Sequence, residues 1–493
     1  MAGPGSVPAH PMSPAVRETH VAVVFLIGDH AYKLKKPVDV GFLDFRTREQ
    51  RLAACRREVD LNRRLAPDVY LGVADVCGPD GAPCDHLVVM RRMPDERRLS
   101  ALVRAGTPVD DVGRRLARMI AAFHASARRG PEISAEGTRD AIRGRWVASF
   151  DQVRSLRDAA VDHGLVEAIE RLTFDFLEGR EPLFAARVAD GRIVDGHGDL
   201  LADDIFCLDD GPRVLDCLEF DDHLRWLDGL DDIAFLAMDL EHLAAPELAT
   251  RLLDWYAEFA ADPAPASLRH HYIAYRAFVR AKVAWIRNAQ GDDAAAAQAA
   301  DHADLALRHL RAGMVRLVMV GGLPATGKST LSGLLADRLG TVLLSSDRLR
   351  KELAGRPPMN SAADDYLEGI YAPPHTERTY AELVARAEKL LTRGESVVID
   401  ASWTRAEHRQ LASKVATRTC SDLVPLRCWV PPEIAAARLR TRRGTPSDAN
   451  ADVATSMAAD ADEWPEAWMV RTAGSTRSSL EQALTVLREG SGG

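Results

Sequence analysis

Cysteine is scarce and scattered in this sequence. The 493 residues hold seven cysteines, at positions 55, 77, 84, 207, 217, 420 and 428, and no two form a Cys-x-x-Cys pair. An odd number without that spacing argues against a disulfide framework or a zinc site and fits a reducing compartment. Long apolar runs are missing too: none reaches the length that spans a bilayer. The amino-terminal stretch MAGPGSVPAHPMSPAV lacks the apolar core of a signal peptide. A cytoplasmic protein with no membrane partner is expected. There is no basic excess; the net charge of −9 argues against a general nucleic-acid binder. No tandem repeat is visible. What is present is ordinary for a globular chain, with 46% hydrophobic and 27% charged residues. The length allows about three domains or lobes.

The pattern along the chain divides it. Residues 1–18 are rich in Pro, Gly and Ala and are expected to form a disordered tail. Residues 19–93 read as a small β-rich unit with one helix. HVAVVFLIGDHAYKLKKP gives strand, Gly28-Asp29 turn and strand; TREQRLAACRREVDLNRRLA gives a helix; YLGVADVC and HLVVMRRM give two more strands. Residues 94–292 are mostly helical, interrupted at 192–220 by RIVDGHGDL and PRVLDCLEF, which read as a β-hairpin. An Ala-rich helix over 293–313 serves as connector. Residues 314–493 alternate strand, loop and helix, with strands RLVMVGG, TVLLSSD, ESVVIDAS and LVPLRCWV, the signature of a parallel sheet with crossover helices.

The last segment carries the sharpest motif. Gly322, Leu323, Pro324, Ala325, Thr326, Gly327, Lys328 and Ser329 match G-x-x-x-x-G-K-[ST], and Thr330 follows. Glycines at this spacing let backbone N–H groups turn inward around phosphate oxygens, and the helix that follows adds its positive end. Lys328 can reach the β- and γ-phosphates and Ser329 can ligate Mg²⁺. A strand precedes and a helix follows, as the motif requires. Asp400 ends a buried-type strand and is a second candidate for Mg²⁺, against a plain strand-end cap. Asp347 follows the next strand, where an acid can orient or deprotonate an acceptor hydroxyl or cap the ensuing helix. Arg350 lies one turn later as a substrate contact. Arg438 and Arg442 share a helix face with Arg443 nearby, and can close over phosphates as a lid; a solvated basic face is the plainer account. Over about 315–445 the segment resembles small P-loop kinases of the gluconate, shikimate and zeta-toxin type, and its motifs do not resemble those of an AAA+ motor.

A second set of residues lies in the first half. Phosphoryl transfer to a hydroxyl needs a carboxylate near the attacking oxygen and metal ligands for the triphosphate. HGDLLADDIF offers Asp199, with Asp204 five residues on, and Asp216 follows twelve later at the end of an apolar run. Lys33 and Lys35 alternate onto one strand face, and either can pair with α/β-phosphates. Glu58 on the following helix can fix that lysine. Singly, an edge-strand lysine or a surface glutamate is unremarkable; the order Lys, Glu, HGD, Asp favours a site.

That order resembles the aminoglycoside phosphotransferase family, whose fold is protein-kinase-like. Over roughly 19–290 the resemblance implies Lys33 (with Lys35 as rival) on the ATP phosphates and Glu58 as its partner. It implies Asp199 as catalytic base, Asp204 and Asp216 as Mg²⁺ ligands, and Asp232 as a brace of the catalytic loop. The family pattern is HGDxHxxN; here Leu201 stands for the second His and Asp204 for the Asn. The added charge near the phosphates bears on turnover and metal demand, and no kinase-type Gly-rich loop is evident. The whole chain resembles bacterial fusions of an aminoglycoside phosphotransferase-like unit with a P-loop ATP-binding unit of kinase type.

The implied architecture is an α+β protein-kinase-like domain, with an N-lobe over 19–93 and a C-lobe over 94–292, followed by an α/β P-loop domain. The implied activity is transfer of the γ-phosphoryl of ATP, with Mg²⁺, to a small-molecule hydroxyl such as that of a sugar or amino sugar. Two rival readings stand beside it. In one, a non-catalytic kinase-like domain regulates the P-loop domain. In the other, the chain is a zeta-toxin-like or polynucleotide 5′-hydroxyl kinase. The acidic run 199–241 suits a cationic acceptor, whereas Arg276 and Arg280 suit an anionic one or salt-bridge to those acids; the salt bridge is the favoured reading.

Overall fold

The structure, a computed structural model, describes residues 14–18, 21–38, 44–156, 160–357, 368–441 and 451–489. Five strands lie at the start: β1 (Ala15–Glu18), β2 (Ala22–Ile27), β3 (His30–Lys35), β4 (Tyr70–Cys77) and β5 (Pro83–Arg91). They form one antiparallel sheet in the order β1-β2-β3-β5-β4. Gly28, first of the two turn residues between β2 and β3, takes a φ of 58°, which a residue with a side chain adopts only at a cost. β1 lies within the stretch read as a tail. Its residues 15–18 pair with Leu26 to Val23 and cover the edge of β2, whose backbone groups would otherwise be open.

The helix Arg48–Asn62 starts at a capping box: Thr47 accepts from the N–H of Gln50, and the Gln50 side chain accepts from the N–H of Thr47. It packs on the sheet through Cys55 and Val59, against Val69, Val88 and Met90. The part that follows is helical. Its core includes Trp146, Phe150 and Phe278, with ring centroids 4.8 to 5.5 Å apart.

The expected hairpin at 192–220 forms differently. β6 (Ile193–Asp195) pairs with β9 (Trp226–Asp228), and β7 (Ile205–Leu208) pairs with β8 (Gly211–Val214). The two-residue turn Asp209-Asp210 closes IFCL onto GPRV at far lower entropic cost than a loop from RIVD would need.

In the second half β10 (Arg316–Gly321), β11 (Val342–Ser345), β12 (Val397–Asp400), β13 (Asp422–Trp429) and β14 (Trp468–Arg471) form a parallel sheet in the order β11-β12-β10-β13-β14. β14 was not foreseen. Val318, Val320, Val398 and Leu426 form its core with Leu331 and Leu335 of the helix Lys328–Leu339 and Leu484 of the helix Thr476–Glu489.

Two compact units result. One takes in the described residues up to 160 with 187–264 and 272–306; the other takes in 161–186, 265–271 and the described residues from 307 on. The helix His163–Glu178 therefore belongs to the parallel-sheet unit, although its neighbours in sequence are the helices of the first.

Candidate functional site

In the first unit β3 presents Lys33 and Lys35 on one face, and the helix Arg48–Asn62 brings Glu58 to both. Lys33 Nζ lies 2.9 Å from Glu58 Oε1 and 2.8 Å from Asp216 Oδ1. Lys35 Nζ lies 2.7 Å from Glu58 Oε2 and 2.8 Å from Glu219 Oε1. One buried carboxylate thus holds both lysines, and of the two only Lys33 is paired with Asp216. Burial opposes the charge of Lys33, but the carboxylates of Asp216 and Glu58 overcome it and push the ammonium well above its ordinary value.

The HGD loop is built on Asp232. This fully buried carboxylate accepts from the N–H of His197 at 2.7 Å and from that of Gly198 at 2.9 Å, and His124 Nε2 lies 3.0 Å away. Burial opposes its charge, yet these bonds hold the carboxyl below the usual range. The cap of the helix Gly229–His242 is Asp228, so capping is not the task of Asp232. Gly198 has a φ of 85°, and a Cβ there would sit 3.2 Å from the Leu224 carbonyl.

Asp199 projects from this braced loop. Burial raises its carboxyl to about 6, with Arg280 opposing the rise and Asp216 adding to it. Asp204 closes the short turn Ala202–Asp204. Burial, then Asp216 and Asp199, push its carboxyl well above the ordinary value. Asp216 does not end a strand: β8 stops at Val214, and Asp216 takes a left-handed φ of 60°. That turn is pinned by neighbours. The Asp216 N–H donates to the Tyr70 hydroxyl at 3.2 Å, and the Cys217 N–H donates to Asn62 Oδ1 at 2.8 Å. The Lys33 ammonium holds the Asp216 carboxyl low. Arg276 pairs twice with Asp231, at 2.7 and 2.9 Å, the salt bridge favoured from the sequence.

His124, Glu219, Asn62 and Tyr70 were not singled out in the sequence. His124 is spaced with Ala117, Ile120 and Ala121 on the buried face of the helix Asp110–Ser126, the pattern of a plain core residue. Glu219 carried a usable signal, an acid three residues past Asp216.

In the second unit the phosphate loop leaves β10 through Gly322, at a φ of 135°, and passes Ala325 and Gly327 at 64° and 90°. A Cβ on Gly322 would lie 2.7 Å from the Cys428 carbonyl and 2.8 Å from Thr326 Oγ1. The cradle therefore requires glycine there. Leu323 and Pro324 carry the chain between these turns, and the Leu323 carbonyl accepts from Lys328 Nζ at 2.9 Å and from the Thr326 hydroxyl at 2.8 Å. Ser329 and Thr330 lie in the first turn of the helix. Asp400, 7% exposed at the end of β12, faces Ser329. Burial raises its carboxyl, and the Lys328 charge and a Ser329 hydrogen bond oppose the rise.

Asp347 lies in the first turn of the helix Ser346–Leu353, while Ser345 holds the cap position. Arg350 is buried and donates to the Ile370 carbonyl and to Thr376 Oγ1, both at 2.9 Å. It anchors the chain at these two points. Arg438 donates to the Thr472 carbonyl at 2.7 Å and to the Ala325 carbonyl at 3.4 Å, so it lies against the phosphate loop. Arg442, with Arg443, lies outside the described residues. Beside the loop is a cavity of about 380 Å³, lined by Leu323, Ser402, Trp403, Arg427 and Asp462 among others.

Fold and sites define the class: a protein-kinase-like unit joined to a P-loop unit of kinase type. A family model described as an AAA domain matches residues 317–463. The chain belongs to the family of the uncharacterized protein Rv2004c of Mycobacterium tuberculosis, to which it is 43% identical over 488 residues, 98% of each chain. A protein of Mycobacterium bovis matches over the same span at the same identity. Among solved structures, a choline/ethanolamine kinase family protein from Mesorhizobium loti has 15% identity, covers 61% of this chain and 92% of its own, and has a TM-score of 0.38. A gluconokinase from Sinorhizobium meliloti has 18% identity, covers 35% of this chain and 92% of its own, and has a TM-score of 0.27. At such scores these two carry no weight beside the geometry above. Among the described residues, no helix is long and apolar enough to cross a membrane.

Proposed function

We propose that the chain is an ATP-dependent phosphotransferase with two nucleotide-binding modules, each passing the γ-phosphoryl of Mg·ATP to a hydroxyl of a small molecule. The observation that carries this reading is Lys33. Its Nζ is held at once by Glu58 from a helix and Asp216 from a loop, three segments far apart in sequence. In this reading the kinase-like module has lobes over 19–93 and 94–292, and a connector over 293–313 leads to the P-loop module over 314–493.

The roles follow from charge and position. Mg·ATP, when bound, supplies the phosphoryl group and neutralises its charge. Lys33, fixed by Glu58, receives phosphate oxygens. Asp199, on a loop rigidly braced by Asp232, accepts the proton of the acceptor hydroxyl; a carboxyl near 6 is a competent base at neutral pH. Asp204 and Asp216 would hold the magnesium, whose charge would offset that of the phosphates. In the P-loop module the backbone of Gly322–Thr330 cradles phosphates, and a Cβ at Gly322 would clash with the Cys428 carbonyl and the Thr326 hydroxyl. Lys328 neutralises them, Ser329 and Asp400 hold magnesium, Asp347 serves the acceptor, and Arg438, with Arg442, covers the site.

One observation favours a second reading, in which the first module only senses ATP. Asp204 stands against Asp199 and Asp216 and crowds a third carboxylate into the site. One experiment separates the two. The full chain is incubated with ATP and a library of hydroxyl compounds, and phosphorylated products are identified by mass. Asp199→Asn is expected to remove one product and Lys328→Ala another. A product set indifferent to Asp199→Asn removes the first module from catalysis; a set indifferent to both substitutions ends the proposal.

A further inference from the structure

Arg276 and Arg280 lie one turn apart on the helix Ala266–Ala289, yet the salt bridge expected of both from the sequence forms at Arg276 alone. Arg276 is buried and committed to Asp231 through two bonds, at 2.7 and 2.9 Å. Arg280 is half-buried, so solvent reaches it, and among the described residues it makes no hydrogen bond and no ion pair.

Its charge is felt nearby all the same. Burial raises the Asp199 carboxyl, and Arg280 is the foremost charge opposing that rise. At Asp239, too, burial raises the carboxyl, opposed by the Ala202 N–H and then by Arg280. The other neighbours are accounted for. Asp239 Oδ2 accepts from the Ala202 N–H at 2.8 Å and so ties down the loop beyond Asp199. Asp203 bonds to the Ser100 hydroxyl and lies 3.8 Å from Arg104. His302, pushed down to about 3 chiefly by burial, is neutral and stacks on His242 with centroids 4.1 Å apart. The acidic run 199–241 is therefore no free anionic surface. Its Asp216 and Glu219 pair with the lysines of β3, and Asp228 pairs with Arg187.

Asp199 and Arg280 remain. They are opposite charges, both half-buried, coupled through space with no ion pair between them. Their supports are fixed separately. Asp232 holds the loop of Asp199 through two backbone N–H groups, and the Arg276–Asp231 pair holds the helix one turn from Arg280. In the function proposed above, Asp199 takes the proton of the acceptor hydroxyl. A cation standing off from that carboxylate, with no partner of its own, is placed for another part of the same acceptor. Resting on that reading, we infer that Arg280 binds an oxyanion of the acceptor, so that the first module phosphorylates a small hydroxy compound bearing a carboxylate or phosphate group. The planar guanidinium offers such a group two N–H donors at once. The acceptor oxygen forms the new bond to the γ-phosphorus, the bond from that phosphorus to the oxygen bridging to the β-phosphate breaks to release ADP, and the hydroxyl proton passes to Asp199.

The full chain is incubated with Mg·ATP and three matched sets of hydroxy compounds: hydroxy acids with sugar phosphates, uncharged polyols, and amino alcohols with amino sugars. Products are identified by mass, and those abolished by Asp199→Asn are kept. They are expected from the anionic set. The KM of that acceptor should rise about tenfold or more in Arg280→Gln, with the KM for ATP moving far less. Arg280→Lys keeps the charge and loses the fork; it is expected to raise the acceptor KM by a smaller factor, and it carries the test if circular dichroism shows the glutamine variant misfolded. Asp199-dependent products drawn mainly from the uncharged or amino sets, or an acceptor KM unmoved by either substitution, would overturn the inference and leave Asp199 as the base. No Asp199-dependent product from any set would end that reading and this inference with it.

Discussion

The two sites are built by opposite means. The phosphate loop is one contiguous stretch whose working parts are backbone N–H groups, held by left-handed turns at Gly322, Ala325 and Gly327. The kinase-like site has no such stretch. It gathers side chains from residues 33, 58, 199, 204, 216 and 232, and buried charges hold them in place. A backbone cradle depends on its own few residues and tolerates change elsewhere. A side-chain site depends on each partner, because a buried charge that loses its counterpart is worse than no charge.

The largest effect separates the modules by rate. Asp199→Asn is expected to lower turnover of the first module by about 10²–10⁴-fold, the usual span for a positioned base. ATP affinity of both modules should stay unchanged in calorimetry. The wild-type rate should also fall with pH below about 6, since Asp199 acts as the carboxylate and its carboxyl is raised to about 6. A turnover flat from pH 5 to 8 would remove Asp199 from the reaction.

Glu58→Ala tests the dependence on partners directly. It leaves Lys33 with Asp216 and Lys35 with Glu219 but takes away the carboxylate common to both. A loss of about 3–5 kcal/mol in the first unit is expected. Hydrogen exchange should rise across β3 and the helix Arg48–Asn62 and stay level across β10 and β12. Equal loosening of both units would mean that the two sites do not stand on separate supports.

This contrast also decides what could be read from the sequence. The P-loop was legible because its spacing is its geometry, and the flanking strand and helix are strongly patterned. The order of Lys33, Glu58, Asp199 and Asp216 pointed to a site, yet Lys33 and Lys35 could not be separated, since alternation puts both on one face. The structure shows why the choice was ill-posed: Glu58 has two oxygens and uses one for each. His124 was invisible because its spacing is that of core. β14 was missed because WMVR is short, with Trp468 and Met469 exposed. The apolar runs at 192–220 suggest one hairpin, whereas the two-residue turn at Asp209-Asp210 pairs Ile205–Leu208 with Gly211–Val214 and leaves Ile193–Asp195 to pair with Trp226–Asp228. No local pattern says that the helix His163–Glu178 belongs to the parallel-sheet unit; that is settled by contacts remote in sequence.

A smaller effect probes the cradle. Lys328→Ala is expected to weaken ATP at the P-loop module by about 10–100-fold, the range for one charge-assisted hydrogen bond. Calorimetry should then show one tight site where the wild type shows two. Two unchanged sites would rule out the cradle as a nucleotide site.

The smallest effect concerns how the two key helices begin. The helix Arg48–Asn62, which carries Glu58, has its first N–H groups tied by Thr47 and Gln50. The helix Lys328–Leu339 begins at Gly327 with no side-chain cap, so its amino end stays open to an anion. Thr47→Ala should therefore cost about 1 kcal/mol, and Thr47→Ser almost nothing. Exchange should quicken over residues 48–51 in Thr47→Ala, with ATP binding at the P-loop unaltered. ATP, in turn, should protect residues 328–331. If Thr47→Ala leaves exchange over 48–51 untouched, then packing through Cys55 and Val59, and not the cap, fixes the start of that helix. In that case Glu58 is positioned from the middle of the helix outward, and the contrast between a closed and an open helix end has no energetic content.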